Sequence, residues 1–389
     1  MESKNSEKDW QDKSEPVFAQ LIKDRAGVYR ISLICYTVYI SNRLHQYMSK
    51  YKTVIIGAGP AGLRCARILA ENRENFILLE SRKEIGQKIC AGLYGIPGSK
   101  WNKTDYFDLP EDVFQKKINR IALIYRRKRR EISCGFPLVA TIDRKRLSQR
   151  MYEKALAAGA DIKFGSPVTE IGDGYVISNG EKIFFDYLVG ADGANSIVRK
   201  KIGFNGPHHL ALQYWLDGEA DWLEIKFVPN RPGTYYVWSA PHQGRISIGA
   251  GGDIELVDVN IIKDDIARYC SEKGFDFSGA SLEGAFIGCD YQGYRSGNMF
   301  LAGDAAGLAS ELTGEGIQPA IASGEDIARM IIDAKHDPIM IKRIIKKKKW
   351  HEYVAKIRQY RWLAEIETTT LFLLLRLRFL KKKIVKSIA

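Results

Sequence analysis

Residues Tyr51 to Glu80 read YKTVIIGAGPAGLRCARILAENRENFILLE. Val54 to Ile56 close a short apolar run, and Gly57, Gly59 and Gly62 follow it in GxGxxG spacing. An amphipathic helical pattern comes next, and a second apolar run ends in Glu80. In such a strand–turn–helix–strand unit each glycine has its own duty. Gly57 permits the tight turn, Gly59 lets backbone amides approach a pyrophosphate, and Gly62 lets the helix sit close on the sheet. The helix N-terminus turns its partial positive charge toward the phosphates. Glu80, about 20 residues past the turn, offers a carboxylate to ribose hydroxyls. The unit is predicted to bind a dinucleotide on an α/β, Rossmann-like sheet.

Two later segments repeat the logic. FDYLVGADGANSIVRKKIGF (185–204) runs an apolar strand into Asp192 and Gly193, followed by Asn195, Ser196 and Arg199. GNMFLAGDAAGLASELTGEGIQPAIASGEDIAR (297–329) ends a strand at Gly303 and Asp304, then enters a glycine-rich loop and a helix. Each sets an acid at a strand end among small residues. Asp304 suits a ribitol or ribose hydroxyl. The loop from Leu312 through Gly314 to Gly316 can present helix-start amides to a ligand edge that becomes anionic, as the N1 and O2 edge of reduced flavin does.

In this order the three segments resemble the FAD-binding elements of the flavoprotein group that holds p-hydroxybenzoate hydroxylase and the geranylgeranyl reductases, over about Tyr51 to Ala334. The resemblance implies FAD as cofactor, with Glu80 on the adenosine ribose, Asp192 and Gly193 bracing the pocket, and Asp304 on the ribityl chain. Arg144, in TIDRKRLSQRMYEKALAAGADIKFG, matches the arginine that opens the helix beside FAD. Two further stretches resemble the geranylgeranyl reductase branch. In ESRKEIGQKICAGLYG, Lys88, Cys90 and Gly92 occupy the positions beside the isoalloxazine. In PGTYYVWSAPHQGRISIGAG, Tyr236, Trp238 and Pro241 match a Tyr-x-Trp-x-Phe-Pro signature; Ala240 replaces the phenylalanine, and the usual proline is displaced to Pro232.

Composition narrows the rest. The 389 residues are 45% hydrophobic, enough for a large core and two or three subdomains. Six cysteines are scattered without CxxC or Cys/His metal spacing, so no metal site is expected and a reducing cytoplasm fits. No four-cysteine set suits an iron–sulfur cluster. The histidines form no ligand set, and His208, His209 and His242 read as loop residues. The net charge of +13 is concentrated in KRIIKKKKWHEY (342–353) and LFLLLRLRFLKKKIVKSIA (371–389). The latter has only five apolar residues in a row before Arg376, far short of the roughly 20 of a spanning helix. An amphipathic helix on an anionic membrane surface fits, giving a cytoplasmic protein peripheral at the membrane. No nucleic-acid motif accompanies the charge.

Residues 1–47 lack glycine-rich or strand-periodic organisation and read as an upstream-extended or poorly ordered N-terminal extension, with a membrane-associating arm as the alternative. Met48 is the expected start of the fold. A discontinuous FAD-binding domain is predicted over 48–100, 138–200 and 288–334. A mainly antiparallel substrate-binding domain takes 101–137 and 203–287, and a basic helical region takes 335–389. GAGGDIE, at 249–255, reads as a strand ending in a turn with no helix pattern after it, hence no second dinucleotide domain.

The resemblance implies a reductase that saturates carbon–carbon double bonds of geranylgeranyl or polyprenyl groups, in membrane ether lipids or a related isoprenoid. Cys90 and Tyr236 are the candidate catalytic residues, and Tyr236, Trp238 and Pro241 the candidate substrate contacts. The external electron donor is open. An aromatic or quinone monooxygenase of the same fold, and an electron-transfer flavoprotein reducing quinone, are the alternatives.

Overall fold

The computed structural model describes residues 50–86, 88–96, 109–133, 135–229 and 231–376. The N-terminal extension at 1–47, Cys35, Cys134 and the basic tail from 377 onward lie outside them.

The opening unit folds as its pattern predicts. Strand Lys50–Ile56 pairs in parallel with Phe76–Leu79 on one side and with Glu181–Gly190 on the other. Met299–Leu301 and Ile162–Lys163 extend the parallel core outward, and short antiparallel strands complete an eight-stranded sheet. Helix Pro60–Glu71 covers one face through Leu63, Ala66 and Leu69. Helix Ile317–Ile332 lies against it so closely that a Cβ on Gly324 would stand 2.1 Å from the Ala61 carbonyl oxygen. Arg64 reaches across to Glu325, which also holds Arg329, so the helix pair is locked by a buried carboxylate as well as by apolar contact.

Strands from 120–133 and 209–287 form a second, seven-stranded sheet, antiparallel except where Leu223–Phe227 runs parallel to Arg120–Tyr125. Its two faces carry different cores. Leu212, Tyr235, Val237, Ile246 and Ile248 face helix Val259–Lys273. Leu123, Trp238 and Ala240 point the other way, where Ala91 and Leu93 meet them. A three-stranded sheet of Leu93–Gly95, Val139–Ile142 and Phe114–Ile118 joins the two larger sheets.

One sequence expectation changes and another gains detail. A helix does follow GAGGDIE, beginning at Val259, but the strand Arg245–Asp253 is antiparallel to both neighbours, so the unit is no dinucleotide fold. The basic C-terminal region holds helices Ile339–Gln359 and Arg361–Leu374, and parts of both pack into the protein. Phe372 and Leu375 are buried with Trp238, Tyr125 and Leu123 on the inner face of the second sheet. Lys348 and Arg358 are also buried, Lys348 donating to the carbonyls of Cys289 and Ala309.

Candidate active site

The glycine turn divides its work by sterics. A Cβ on Gly57 would lie 2.5 Å from the Ala191 oxygen, and one on Gly62 would lie 1.9 Å from the Gly57 oxygen. Those two positions are closed by the protein itself. A Cβ on Gly59 would meet only the Ala191 oxygen, at 3.8 Å, so that glycine keeps space open to something else. Gly59 is also the N-cap of helix Pro60–Glu71, and no side chain caps the helix amides. Glu80 stands at this turn, its carboxylate accepting the amides of Ala58 at 2.7 Å and Arg82 at 2.9 Å.

Arg144 is the first residue of helix Arg144–Ala157, and its Nε and Nη1 are buried without a hydrogen-bond partner. A cation held that way is costly unless an anion completes it. Asp192 accepts the amide of Ile197 at 2.8 Å through one oxygen, while its other oxygen is buried and unpaired. Burial pushes its carboxyl above the usual range. An open glycine turn, uncapped helix amides and an orphaned guanidinium suit a ligand with a pyrophosphate. The residues present therefore fit FAD.

The remaining predicted residues converge from distant parts of the chain. Lys88 Nζ pairs with Asp304 Oδ2 at 2.7 Å across 216 positions of sequence. A Cβ on Gly316 would be 3.1 Å from Asp304 Oδ1, and one on Gly314 would be 3.9 Å from the Tyr236 hydroxyl oxygen. That hydroxyl donates to the Thr313 carbonyl at 2.9 Å, tying the second sheet to the glycine-rich loop. Burial pushes the Tyr236 phenol up to about 12. Trp238 stands edge-on to Tyr236, with ring centroids 6.3 Å apart. Pro241 lies at the end of the same strand, where its carbonyl accepts Thr141 Oγ1 at 2.9 Å and joins the second sheet to the small one. Gly193, with φ +81°, turns the chain after Asp192. Cys65, Cys90, Cys270 and Cys289 are free thiols; Cys90 is partly exposed and the other three are buried.

Several residues of this region were not found from sequence. Gln213 donates to the Cys90 carbonyl at 3.4 Å and accepts from Ser247, which in turn accepts the Trp238 indole N–H at 3.1 Å. His242, expected in a loop, is buried between Ala91 and Gln115, with Nε2 3.0 Å from the Ala91 carbonyl. Burial pushes it down to about 4, so it is neutral at pH 7 and Nε2–H donates to that carbonyl. Gln213 and His242 thus grip two successive carbonyls, those of Cys90 and Ala91. His209, also expected in a loop, begins strand His209–Asp217 and is buried. It stands with His208 and Asp253 in a group whose donor atoms lie within 4.8 Å, a proximity that sequence spacing did not reveal. Arg199 is buried and binds the carbonyls of Asn205, Ala305 and Asp290 together with the Asp290 carboxylate. It fixes the segment that follows Asp304.

A parallel sheet with an open glycine turn, an anion-seeking arginine and a second sheet roofing the first defines a flavin-dependent oxidoreductase. Residues 105–264 match the FAD binding domain family. The chain is 25% identical over 347 residues to a chloroplastic geranylgeranyl diphosphate reductase of Oryza sativa subsp. japonica, covering 80% of this chain and 72% of that protein. It is 26% identical over 322 residues to a digeranylgeranylglycerophospholipid reductase of Thermoplasma volcanium, covering 74% and 79%. A solved geranylgeranyl bacteriochlorophyll reductase-like protein from Thermoplasma acidophilum superposes with a TM-score of 0.62 at 20% identity, over 87% of this chain and 92% of that one. A flavin-dependent brominase shares the fold with a TM-score of 0.67 at 17% identity, over 87% and 93%. The chain is an FAD-dependent oxidoreductase with sequence similarity to geranylgeranyl reductases.

Proposed function

We propose that the protein saturates carbon–carbon double bonds of geranylgeranyl or other polyprenyl groups, carried by membrane ether lipids or a related isoprenoid. The observation that carries this reading is the inner face of the second sheet. Ala211, Trp238, Ala240, Tyr236 and Phe227 form an apolar surface there, next to the Cys90 segment. A hydrocarbon chain suits such a surface, and the names of the relatives point to the same chemical class.

Bound and reduced FAD supplies hydride equivalents, and the protein supplies position, dryness and a proton. Gly57 to Gly62, Arg144 and Glu80 hold the dinucleotide end. Lys88, Asp304 and the amides of 312–316 would hold the other end, where the helix start favours negative charge. The partner carbon of the alkene needs a proton. Tyr236 keeps its own for the Thr313 carbonyl and stays protonated well above neutral pH, so its role is to fix the loop and line the chain. Cys90 is the proposed donor. Gln213 and His242 hold its backbone in place, and its sulfur lies 3.4 Å from the Gly92 amide nitrogen.

The test is anaerobic. The holoprotein is reduced with dithionite, and the rate of flavin reoxidation is followed on adding a geranylgeranyl lipid. Reoxidation that depends on the lipid supports the reading. Reoxidation only on admitting oxygen, with oxygen incorporated into an aromatic substrate, would support the monooxygenase instead; transfer to quinone alone would support electron transfer.

A further inference from the structure

We propose that helices Ile339–Gln359 and Arg361–Leu374 form a bilayer-docking face, and that the second of them joins that face directly to the apolar wall of the site. Helix Arg361–Leu374 has two apolar sides. Its inner side, Ala364, Thr368, Phe372 and Leu375, is buried, with Phe372 and Leu375 in the core that contains Trp238. Its outer side carries Trp362, 63% exposed, Ile366, 56% exposed, and Leu373, 51% exposed, at spacings of four and seven residues that align them on one stripe. A globular protein normally turns only one stripe of a surface helix inward and leaves the other polar. Here both are apolar.

The neighbouring helix exposes aromatic side chains as well. Trp350 and Tyr353 are 59% and 64% exposed, and Tyr360, at the junction of the helices, is 62% exposed. Lys346, Lys349 and Lys356 are exposed at positions interleaved with them, three or four residues apart. Exposed tryptophan and tyrosine among lysines is the composition of a helix that lies in the headgroup region of an anionic membrane. The occupant is therefore an anionic bilayer and not a second copy of this chain, whose net charge of +13 would repel the same basic face. No helix of the described residues is long and apolar enough to cross a membrane, so the contact is with the surface. The purpose of the contact rests on the lipid-reductase reading. A polyprenyl chain leaving the bilayer beside Trp362 and Leu373 would meet the buried side of the same helix, and through it the Trp238 wall.

The experiment uses full-length FAD-loaded protein and vesicles of phosphatidylcholine with phosphatidylglycerol, without substrate. Wild type should co-sediment with the anionic vesicles, and vesicles brominated in their acyl chains should quench its tryptophan emission. The variant Trp350→Ser/Trp362→Ser should keep its flavin content and bind at least tenfold more weakly. Lys346→Gln/Lys349→Gln should bind about 30-fold more weakly, from about 1 kcal/mol for each basic residue near the surface. Binding by wild type that neither variant weakens would overturn the proposal, as would no binding or a concentration-dependent dimer that hides both tryptophans. Because vesicle binding is read without turnover, its failure leaves the reductase reading standing, and failure of lipid reduction leaves the binding result standing.

Discussion

Replacing Arg144 with methionine should push apo and FAD-loaded protein in opposite directions. Two guanidinium nitrogens of Arg144 are buried and unpaired, and each such group costs about 1–3 kcal/mol, more when charged. The residue also opens a helix, where a positive charge opposes the macrodipole by about 0.3–1 kcal/mol. Methionine keeps most of the stem and removes both costs, so the flavin-free protein should gain at least about 2 kcal/mol. At about 2–4 °C per kcal/mol for domains of 150–250 residues, that is a rise of several degrees in Tm. With FAD bound the same nitrogens have an anion to meet. Two charge-assisted bonds contribute about 3 kcal/mol or more, so FAD should bind roughly a hundredfold more weakly. The assay is thermal unfolding of deflavinated wild type and variant, alongside titration of FAD fluorescence. A variant whose apo form is less stable and whose FAD affinity is unchanged would refute the assignment of Arg144 to the pyrophosphate.

Three further outcomes are expected. Gly59→Ala should leave the apo fold intact and cut flavin retention, because its Cβ meets nothing closer than 3.8 Å, whereas Gly62→Ala should lower apo stability as well, through a 1.9 Å contact with the Gly57 oxygen; circular-dichroism melts and flavin absorbance separate the two. Cys90→Ala should slow lipid-dependent flavin reoxidation by about 10²–10⁴-fold at unchanged flavin content, as loss of a general acid does, and a change within about threefold would remove Cys90 as the donor. His209, His242 and His351 are pushed from 6.5 down to about 4 by burial. Between those values the unfolded chain binds more protons at these sites than the folded one, so their contribution to stability is full above 6.5 and falls as pH drops toward 4. His242→Gln should reduce that slope by up to about 1.4 kcal/mol per pH unit in denaturant titrations; an unchanged slope would show that His242 titrates normally.

The parts of the site legible in the sequence are those whose requirement is local. Gly57, Gly59 and Gly62 announce themselves because one turn needs all three at fixed spacing, and Asp192 and Asp304 because each ends an apolar strand. Gln213, Ser247 and His242 gave no such signal. Gln213 acquires its place only when its strand meets Cys90, 123 residues earlier, and His242 only when Ala91 and Gln115 close around it. A lone polar residue between apolar neighbours looks the same whether it clamps a loop or faces water. Lys88 and Asp304 were each assigned to the cofactor; the structure adds that they neutralise one another. The C-terminal helices show the same limit. Periodicity alone cannot say that Phe372 and Leu375 belong to the core while Trp362 and Ile366 stay exposed.

The most direct test of the account is the mass of the lipid after reaction. Reduced holoprotein is incubated without oxygen with a geranylgeranyl ether lipid, and the product is examined by mass spectrometry. Stepwise gain of hydrogen pairs in the isoprenoid chain, lost in Cys90→Ala and absent without FAD, is the result the account predicts. An unchanged lipid alongside gain of oxygen in an aromatic or quinone substrate on re-aeration would contradict it.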